Sequence, residues 1–479
     1  MISRRALVAG LLALPALGLA ACGAGRGRDE RAIDPTAPPF HAAGDGAADD
    51  TRALQAAIDA TARPAGSGAI VVPPGSYRLT DTLRVQNVRG LSFKGASPGG
   101  TRFHWAGPPD RPMFLLADTR DSVFAGFRIV ASPVRPLHTG IRSENAPESL
   151  IPPTHNQFEN VFMDGTAEGG LGYGFRIAVG GGGDANNEFH DFIRCNVANY
   201  RIAYSIEHSQ SHTNRFYSCG FAGNGLGEAG VRTVDGSFYW YGGGGGGNRV
   251  ADFLLGTPNV TVSIINGNFE ASARLLATAG PTGARWPILV QGVRFSADRL
   301  HADGVMIDVQ TPGPLTLIGN AFGESAAART PHVRLTAHVP GMTLVSHGNQ
   351  WTGRDALAVS PFRFAGNGAA SVNAAIEGES FVDGSNRDPA LFADGDTTPA
   401  VHAVPRFRTA NSRRTVITAF DQGWPGREIV VLAGDDNTVF DFRAGRLAGN
   451  GGRPWRARKG GALRCLFDGD IWRCRPERG

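Results

Sequence analysis

The chain has 479 residues, 66 of them Gly, with 42% hydrophobic and 19% charged residues. That is enough apolar material for a large buried core and excludes a disordered or merely charged tail protein. The 47 Lys and Arg against 43 Asp and Glu leave a net charge of only +4, and no basic cluster alternates with aromatic residues, so nothing here argues for a nucleic-acid partner. Only Lys94 and Lys459 are lysines; the bias to Arg is read as codon usage rather than phosphate recognition.

The first element is an export segment. Arg4 and Arg5 precede an apolar stretch, residues 6–19, which is shorter than the roughly 20 residues that span a bilayer as a helix. It ends in Leu19-Ala20-Ala21-Cys22, which resembles the lipobox of bacterial lipoproteins. That resemblance implies removal of residues 1–21, acylation of Cys22, and a cell-envelope location in the periplasm or outer membrane, with the lipid as the only membrane contact. Ser3-Arg4-Arg5 also resembles a twin-arginine signal, with Leu7 where that motif prefers Phe, so both export routes stay open. Residues 22–39, rich in Gly and Arg with Pro35 and Pro38, are expected to be a flexible tether.

Next comes Gly44-Asp45-Gly46-Ala47-Ala48-Asp49-Asp50-Thr51, running into a helical pattern over 51–62 with Leu54, Ala57, Ile58 and Thr61 on one face. An Asp at its start is expected to cap it. Gly68-Ala69-Ile70-Val71-Val72-Pro73-Pro74-Gly75-Ser76-Tyr77 follows. Together these motifs resemble the opening of the pectate-lyase superfamily, which includes rhamnogalacturonase-like and polygalacturonase-like enzymes and phage tailspike depolymerases. The resemblance implies a right-handed parallel β-helix that acts on a polysaccharide. The helix would close the open end of such a stack, where unpaired strand edges otherwise aggregate, and the Gly-Asp-Gly and Asp-Asp residues are read as structural.

The body of the chain repeats. Asn266-Gly267-Asn268-Phe269, Gly292-Val293-Arg294-Phe295, Gly319-Asn320-Ala321-Phe322, Gly348-Asn349-Gln350-Trp351 and Gly378-Glu379-Ser380-Phe381 place their aromatics 26, 27, 29 and 30 residues apart, each after a short β-rich run. Upstream, Asn156-Gln157-Phe158, Asn187-Glu188-Phe189 and Asn214-Arg215-Phe216 are spaced by 31 and 27. Units this short cannot bury a core alone, and they are too short for the four strands of a propeller blade. Stacked as coils, they share one interior, with Asn amides bonding along the stack and aromatic rings filling it. The expected fold is therefore all-β, a right-handed parallel β-helix (solenoid) over 40–390 with an N-terminal capping helix and a small C-terminal β module. Cys195 and Cys219 fall at similar places in neighbouring units, as buried thiols or as a disulfide.

After residue 405 the rhythm stops. Short strands and hairpin turns fill 405–479, a module suited to capping the stack, to homotrimer formation or to holding a glycan. In its last hairpin a four-residue loop, 468–471, would set Cys465 opposite Cys474 as a cross-strand disulfide.

A shallow groove along parallel strands suits an extended polymer. Hydrolysis there needs two carboxylates about 5 to 9.5 Å apart; uronide lysis needs a base and a cation to stabilise the enolate. Asn-Thr-Asp, Gly-His-Gly and Arg-Ile-Lys of polygalacturonases are missing, and Asp394-Gly395-Asp396 is too short to be a calcium loop, so no metal or cofactor is expected. Polar residues concentrate between 184 and 274: Asp184, Glu188, His190, Asp191, Glu207, His208, His212, Asp235, Glu270 and Arg274, beside Phe238-Tyr239-Trp240-Tyr241 and the Gly runs 180–183 and 242–247. From these, Glu207, Asp235 and Glu270 are the expected acidic set, with His208 or His212 as proton shuttle. Arg274 would steer an acidic sugar, and Tyr239, Trp240 and Tyr241 would stack on it. Two readings follow: an envelope enzyme cleaving an extended, acidic polysaccharide by hydrolysis or β-elimination, and a non-catalytic glycan-binding or scaffold protein.

Overall fold

The computed structural model describes residues 32–62, 66–145, 152–167, 169–179, 187–256, 261–278, 286–297, 304–310, 313–323, 332–337, 341–352, 361–366, 372–381, 389–402, 405–443 and 445–477. The export segment with Cys22, the Gly run 180–183 and Asp184 lie outside them. Among the described residues no helix is long and apolar enough to cross a membrane.

The chain winds into a parallel β-solenoid of about 13 turns. Each coil contributes a strand to each of three parallel ladders. In one central coil these are Asn214–Tyr217 in the first ladder, Gly220–Ala222 in the second and Ala229–Thr233 in the third. The next coil repeats them in register as Phe238–Tyr241, Gly244–Gly246 and Ala251–Leu255. The repeat motif is the corner between the first two ladders. There one residue takes positive φ in coil after coil: Ser218, Gly242, Asn266, Gly292, Gly319, Gly348 and Gly378. Gly and Asn adopt that conformation at least cost, which explains the Gly or Asn that opens each repeat.

In two successive coils the residue after that corner, Asn320 and then Asn349, points inward and forms an amide ladder. Asn320 N–H and Nδ2 both donate to Asn349 Oδ1 (2.9 and 2.8 Å), and Asn349 Nδ2 donates to Leu317 O (3.1 Å) and Ser346 Oγ (2.9 Å). One coil on, Glu379 takes over, accepting from Asn349 Nδ2 and Trp351 Nε1. Asn349→Ala strands a buried N–H and a buried C=O, so the protein should lose about 2 kcal/mol, read as a lower thermal midpoint.

Aromatic rings fill the interior. Phe158, Phe192, Phe216 and Trp240 stack with centroids 5.1, 4.5 and 5.4 Å apart. The expected alignment at Asn187 and Phe189 was three residues off: Phe192 pairs with Phe158, and His190 holds the place beside Asn156. Phe189 instead sits on the corner at positive φ, stacked on His155 at 5.0 Å. His190 is fully enclosed, accepts from Asn156 N–H and donates from Nε2 to Asn187 Oδ1 (2.6 Å). Burial first, and the nearby His155 charge second, lower its pKa to about 3, so it stays neutral as a ladder member. In the second ladder the ring series breaks at Gly245, between Phe221 and Phe269. Those two rings lean into the gap and stack at 5.9 Å, and a β-carbon on Gly245 would strike Phe221.

At the N-terminal end the helix Thr51–Thr61 buries Leu54, Ala57, Ile58 and Thr61, the expected face. Its cap differs in detail. Asp50 turns its carboxylate back to Ala43 N–H (2.6 Å) and Gly44 N–H (3.2 Å), while Asp49 accepts from Thr51 N–H (3.1 Å) and Thr80 Oγ1 (2.5 Å). Asp50 thus ties the preceding loop to the helix start, a structural role. Ile33 already pairs with Ala69 and Val71, so the expected tether ends before it.

The C-terminal module carries a six-stranded and a three-stranded sheet around its own apolar cluster. Trp424 reaches out of it into the interior of the solenoid and meets Phe362 of the last third-ladder strand at 6.1 Å, so the module covers that end. Cys465 and Cys474 face each other across the antiparallel pair Ala462–Phe467 and Trp472–Glu477 and form a disulfide, as the loop length implied. Cys195 and Cys219 are buried free thiols on neighbouring rungs.

Candidate functional site

In the third ladder one outward row reads Arg142, Arg176, Ser205, Arg232 over four successive coils. Register alone therefore stacks three guanidinium groups on one face, which would repel without counter-charges. Glu207, at the end of Ile202–Ile206, supplies one. Its Oε2 meets Arg176 Nη2 (2.7 Å), and its Oε1 accepts from Arg232 Nη2 (3.0 Å) and Ser205 Oγ (3.0 Å). The Glu207 side chain is only 11% exposed. Burial works to raise its pKa, but the Arg176 bond and charge, Ser205 and the Arg232 charge outweigh this and hold it below the ordinary carboxylate value. Arg142 pairs with Glu144 at 2.6 Å.

Tyr173 lies beneath these arginines, outside the interior cluster and 6% exposed. Arg176, Arg232 and Arg201 stand 4.6, 5.4 and 5.9 Å from its ring centre, and Arg232 Nη2 donates to its hydroxyl at 3.2 Å. His138, from the neighbouring coil, meets the Tyr173 ring edge-on at 5.6 Å. Its Nδ1 pairs with Thr139 Oγ1 at 2.9 Å. Burial, then the charges of Arg176, Arg201 and Arg142, lower its pKa, so His138 is neutral at physiological pH. Gly172 makes room for it, since a β-carbon there would lie 3.0 Å from the imidazole. The cluster thus joins a neutral imidazole, a phenol and surplus positive charge on the outer face of the third ladder. Such a set can bind a carboxylate and move a proton.

The residues singled out from sequence distribute over several places. Glu207 belongs to this cluster. His208 and Asp235 lie on the corner that follows it, between the third and first ladders: His208 Nδ1 accepts from Gln210 N–H (3.1 Å), and Asp235 accepts from Gly236 N–H (2.9 Å). His212 shares that corner and pairs with Ser237 Oγ at 3.1 Å. Close by, burial raises the pKa of Glu188 against the lowering charges of His212 and His155. Asp191 is bound to Arg215 at 2.6 Å. Glu270 stands elsewhere, exposed at the end of Asn268–Glu270 in the second ladder, where it lines a cavity of about 950 Å³. Arg274 is buried at the corner between the second and third ladders. Trp240, expected to meet substrate, is in the interior, because strand alternation sends Phe238 and Trp240 inward and Tyr239 and Tyr241 outward. Tyr241 stacks on Tyr217 at 5.3 Å, leaving an aromatic strip on the first ladder. Sequence reading missed Tyr173, Arg176, Arg232 and His138; the recurrence of Arg at one register position was the signal. Among the described residues no group of three His, Cys, Asp or Glu is arranged to hold a metal ion.

One buried carboxyl has a consequence for pH. Asp252 is enclosed, with Oδ1 accepting from Ser272 Oγ (2.5 Å) and Asn248 Nδ2 (2.9 Å), and burial, opposed by those two bonds, raises its pKa to about 7. The folded state therefore holds a proton that the unfolded chain releases near the ordinary aspartate value of 3.8. This contribution is full below that value and is lost as pH rises through about 7. Stability should fall over that window, and Asp252→Asn should flatten the slope measured by denaturant unfolding across pH.

Residues 38–104 match the family model described as rhamnogalacturonase A/epimerase, pectate lyase-like. The match falls on the segment that resembles the opening of the pectate-lyase superfamily, and that resemblance holds. No curated protein matches the chain at a significant level. Among solved structures, the A-module of mannuronan C-5 epimerase AlgE4 from Azotobacter vinelandii aligns with a TM-score of 0.48 and 15% identity, over 73% of this chain and 96% of that one. The catalytic unit of the thermostable GH87 α-1,3-glucanase of Streptomyces thermodiastaticus aligns at 0.34 and 14% identity, over 74% and 69%. ORF18 of Geobacillus virus E2 aligns at 0.33 and 12% identity, over 92% and 71%.

Proposed function

We propose that the chain acts on an acidic polysaccharide by removing the proton next to a uronate carboxylate, with β-elimination across the glycosidic bond as the outcome. The observation that carries this reading is the Tyr173–Arg176–Glu207–Arg232 cluster beside neutral His138. The substrate carboxylate displaces part of the guanidinium roof over Tyr173 and is held by Arg176 and Arg232. Their charge stabilises the enolate that forms when His138 takes the C5 proton. The electron pair then expels the O4 glycosyl oxygen and leaves a C4–C5 double bond, and Tyr173 protonates the leaving oxygen. Base and acid stand side by side, their rings 5.6 Å apart, which supports syn elimination over epimerisation, where the returning proton must reach the opposite face of the ring. The family model over residues 38–104, described as rhamnogalacturonase A/epimerase, pectate lyase-like, supports the broader reading of a polysaccharide-acting protein on this fold.

Hydrolysis fits less well, because Glu207 is committed to two arginines and Glu270 lies on another ladder. That separation favours the second reading, a glycan-binding scaffold, over a hydrolase. The location we infer is the cell envelope, with a lipid on Cys22 as anchor; this rests on residues 1–22 alone.

The test is incubation with polygalacturonate, polymannuronate and a neutral glucan, following the ultraviolet absorbance of unsaturated chain ends. The reading requires such ends from at least one polyuronate and none from the glucan. Retention of a polyuronate without turnover would leave the scaffold reading. Because His138 titrates below the ordinary value of 6.5, the acid limb of kcat/KM should fall below that pH.

A further inference from the structure

We propose a second saccharide site, independent of the first, in the cavity over Gly244–Gly246 on the second ladder, and an uncharged di- or trisaccharide as its ligand. The core explains Gly245, whose place is taken by the leaning rings of Phe221 and Phe269. Gly244 and Gly246 have a different cause. The strand is rotated so that a β-carbon at either would strike the carbonyl oxygen of Asn268 or Glu270 in the next coil. Their neighbours in the preceding coil, Gly220 and Ala222, are also small. Two successive rungs therefore present almost bare backbone, and the wall sinks to leave a cavity of about 950 Å³. That is large enough for more than one sugar ring, at the upper end of the usual range for small-ligand sites.

The rim carries the chemistry. Asn268 and Glu270 project from one strand on the same face, both exposed. Among the described residues neither side chain has a hydrogen-bond or ion-pair partner. Opposite them, Asn224 and Arg249 stand exposed on the turns of the two preceding coils. Asn224 is fixed by its Nδ2 donating to Asn199 Oδ1 at 2.6 Å, which leaves its own carbonyl oxygen free to accept. Two amides, one carboxylate and one guanidinium make a rim of no net charge, with donors and acceptors suited to vicinal hydroxyls. With no net positive charge to hold a carboxylate, the site favours a neutral sugar and so complements the arginine face, which favours an acidic one.

The full chain is titrated calorimetrically with cellotriose, maltotriose and mannotriose, and with trigalacturonate as the charged control. At least one neutral trisaccharide should bind with a Kd of about 1 mM or tighter. Glu270→Ala and Asn268→Ala, both surface changes that leave the fold intact by circular dichroism, should each weaken that binding about tenfold or more. Polyuronate turnover should be the same in both variants as in the parent. Failure of all three neutral sugars to bind at about 10 mM, or binding that ignores both substitutions, would overturn the proposal whether or not the polyuronate reaction is found.

Discussion

Tyr173→Phe should lower kcat on a polyuronate by about a hundredfold or more, the usual contribution of a positioned proton donor, while KM changes little. The substitution removes one oxygen. The ring stays under Arg176 and Arg232, which stand 4.6 and 5.4 Å from its centre, so the packing is kept. Only the 3.2 Å bond from Arg232 Nη2 is lost, which costs about 1 kcal/mol of stability. A merely structural tyrosine would give the opposite pattern, a lower thermal midpoint with kcat intact. His138→Gln separates the two proton carriers: it should remove the acid limb of the pH profile, whereas Tyr173→Phe should leave that limb in place.

The second large effect is on stability. Glu207→Gln keeps the shape of the side chain but removes the charge that holds Arg176 and Arg232 together. Glu207 is 11% exposed and its partners 24% and 20%, so solvent screens the loss only in part. We expect the variant to be less stable by about 3 kcal/mol near pH 7. The pH dependence gives a second reading of the same pair. The folded-state pKa of Glu207 is lowered, so its contribution is present above the ordinary glutamate value of 4.5 and is lost as pH falls through the folded value. Parent and variant should therefore converge in stability toward low pH. With its arginines no longer held, the variant should also show a raised KM. Equal stability of parent and variant at pH 7 would mean that the arginines do not need this carboxylate.

Much of the fold was legible in the sequence because its grammar is local. The corner glycines at 292, 319 and 348 are required by positive φ, and the aromatic three residues later fills the interior, so both recur at the coil period. The alignment slipped at Asn187 and Phe189, where Asn187-Glu188-Phe189 imitates the true pair His190 and Phe192 three residues on. A histidine that accepts through Nδ1 and donates through Nε2 can stand in for an asparagine, and composition does not reveal that substitution. Trp240 shows a cue left unused: in Phe238-Tyr239-Trp240-Tyr241 the period of two already separates the buried pair from the exposed pair.

The site was harder to read because it is not local. Arg142, Arg176 and Arg232 meet only after the coils between them are set in register, and these coils differ in length. In a chain with 47 Lys and Arg, nearly all Arg, no single one of them stands out. Glu207 was visible as a carboxylate at a strand end, but its partners were not, and the partners decide its role. A carboxylate between two guanidinium groups orients charge and is a poor proton donor.

The most direct test is hydrogen exchange at C5 of a polyuronate incubated with the full chain in deuterium oxide, together with the count of unsaturated chain ends. The reading predicts an exchange-labile C5 proton and unsaturated ends, both lost in His138→Gln and both absent with the carboxyl-reduced polymer, whereas Tyr173→Phe should lower the unsaturated ends and keep the exchange at C5. New reducing ends without unsaturation and without deuterium at C5 would contradict it, and would mean that the arginine face binds a polymer whose cleavage is carried out by carboxylates elsewhere.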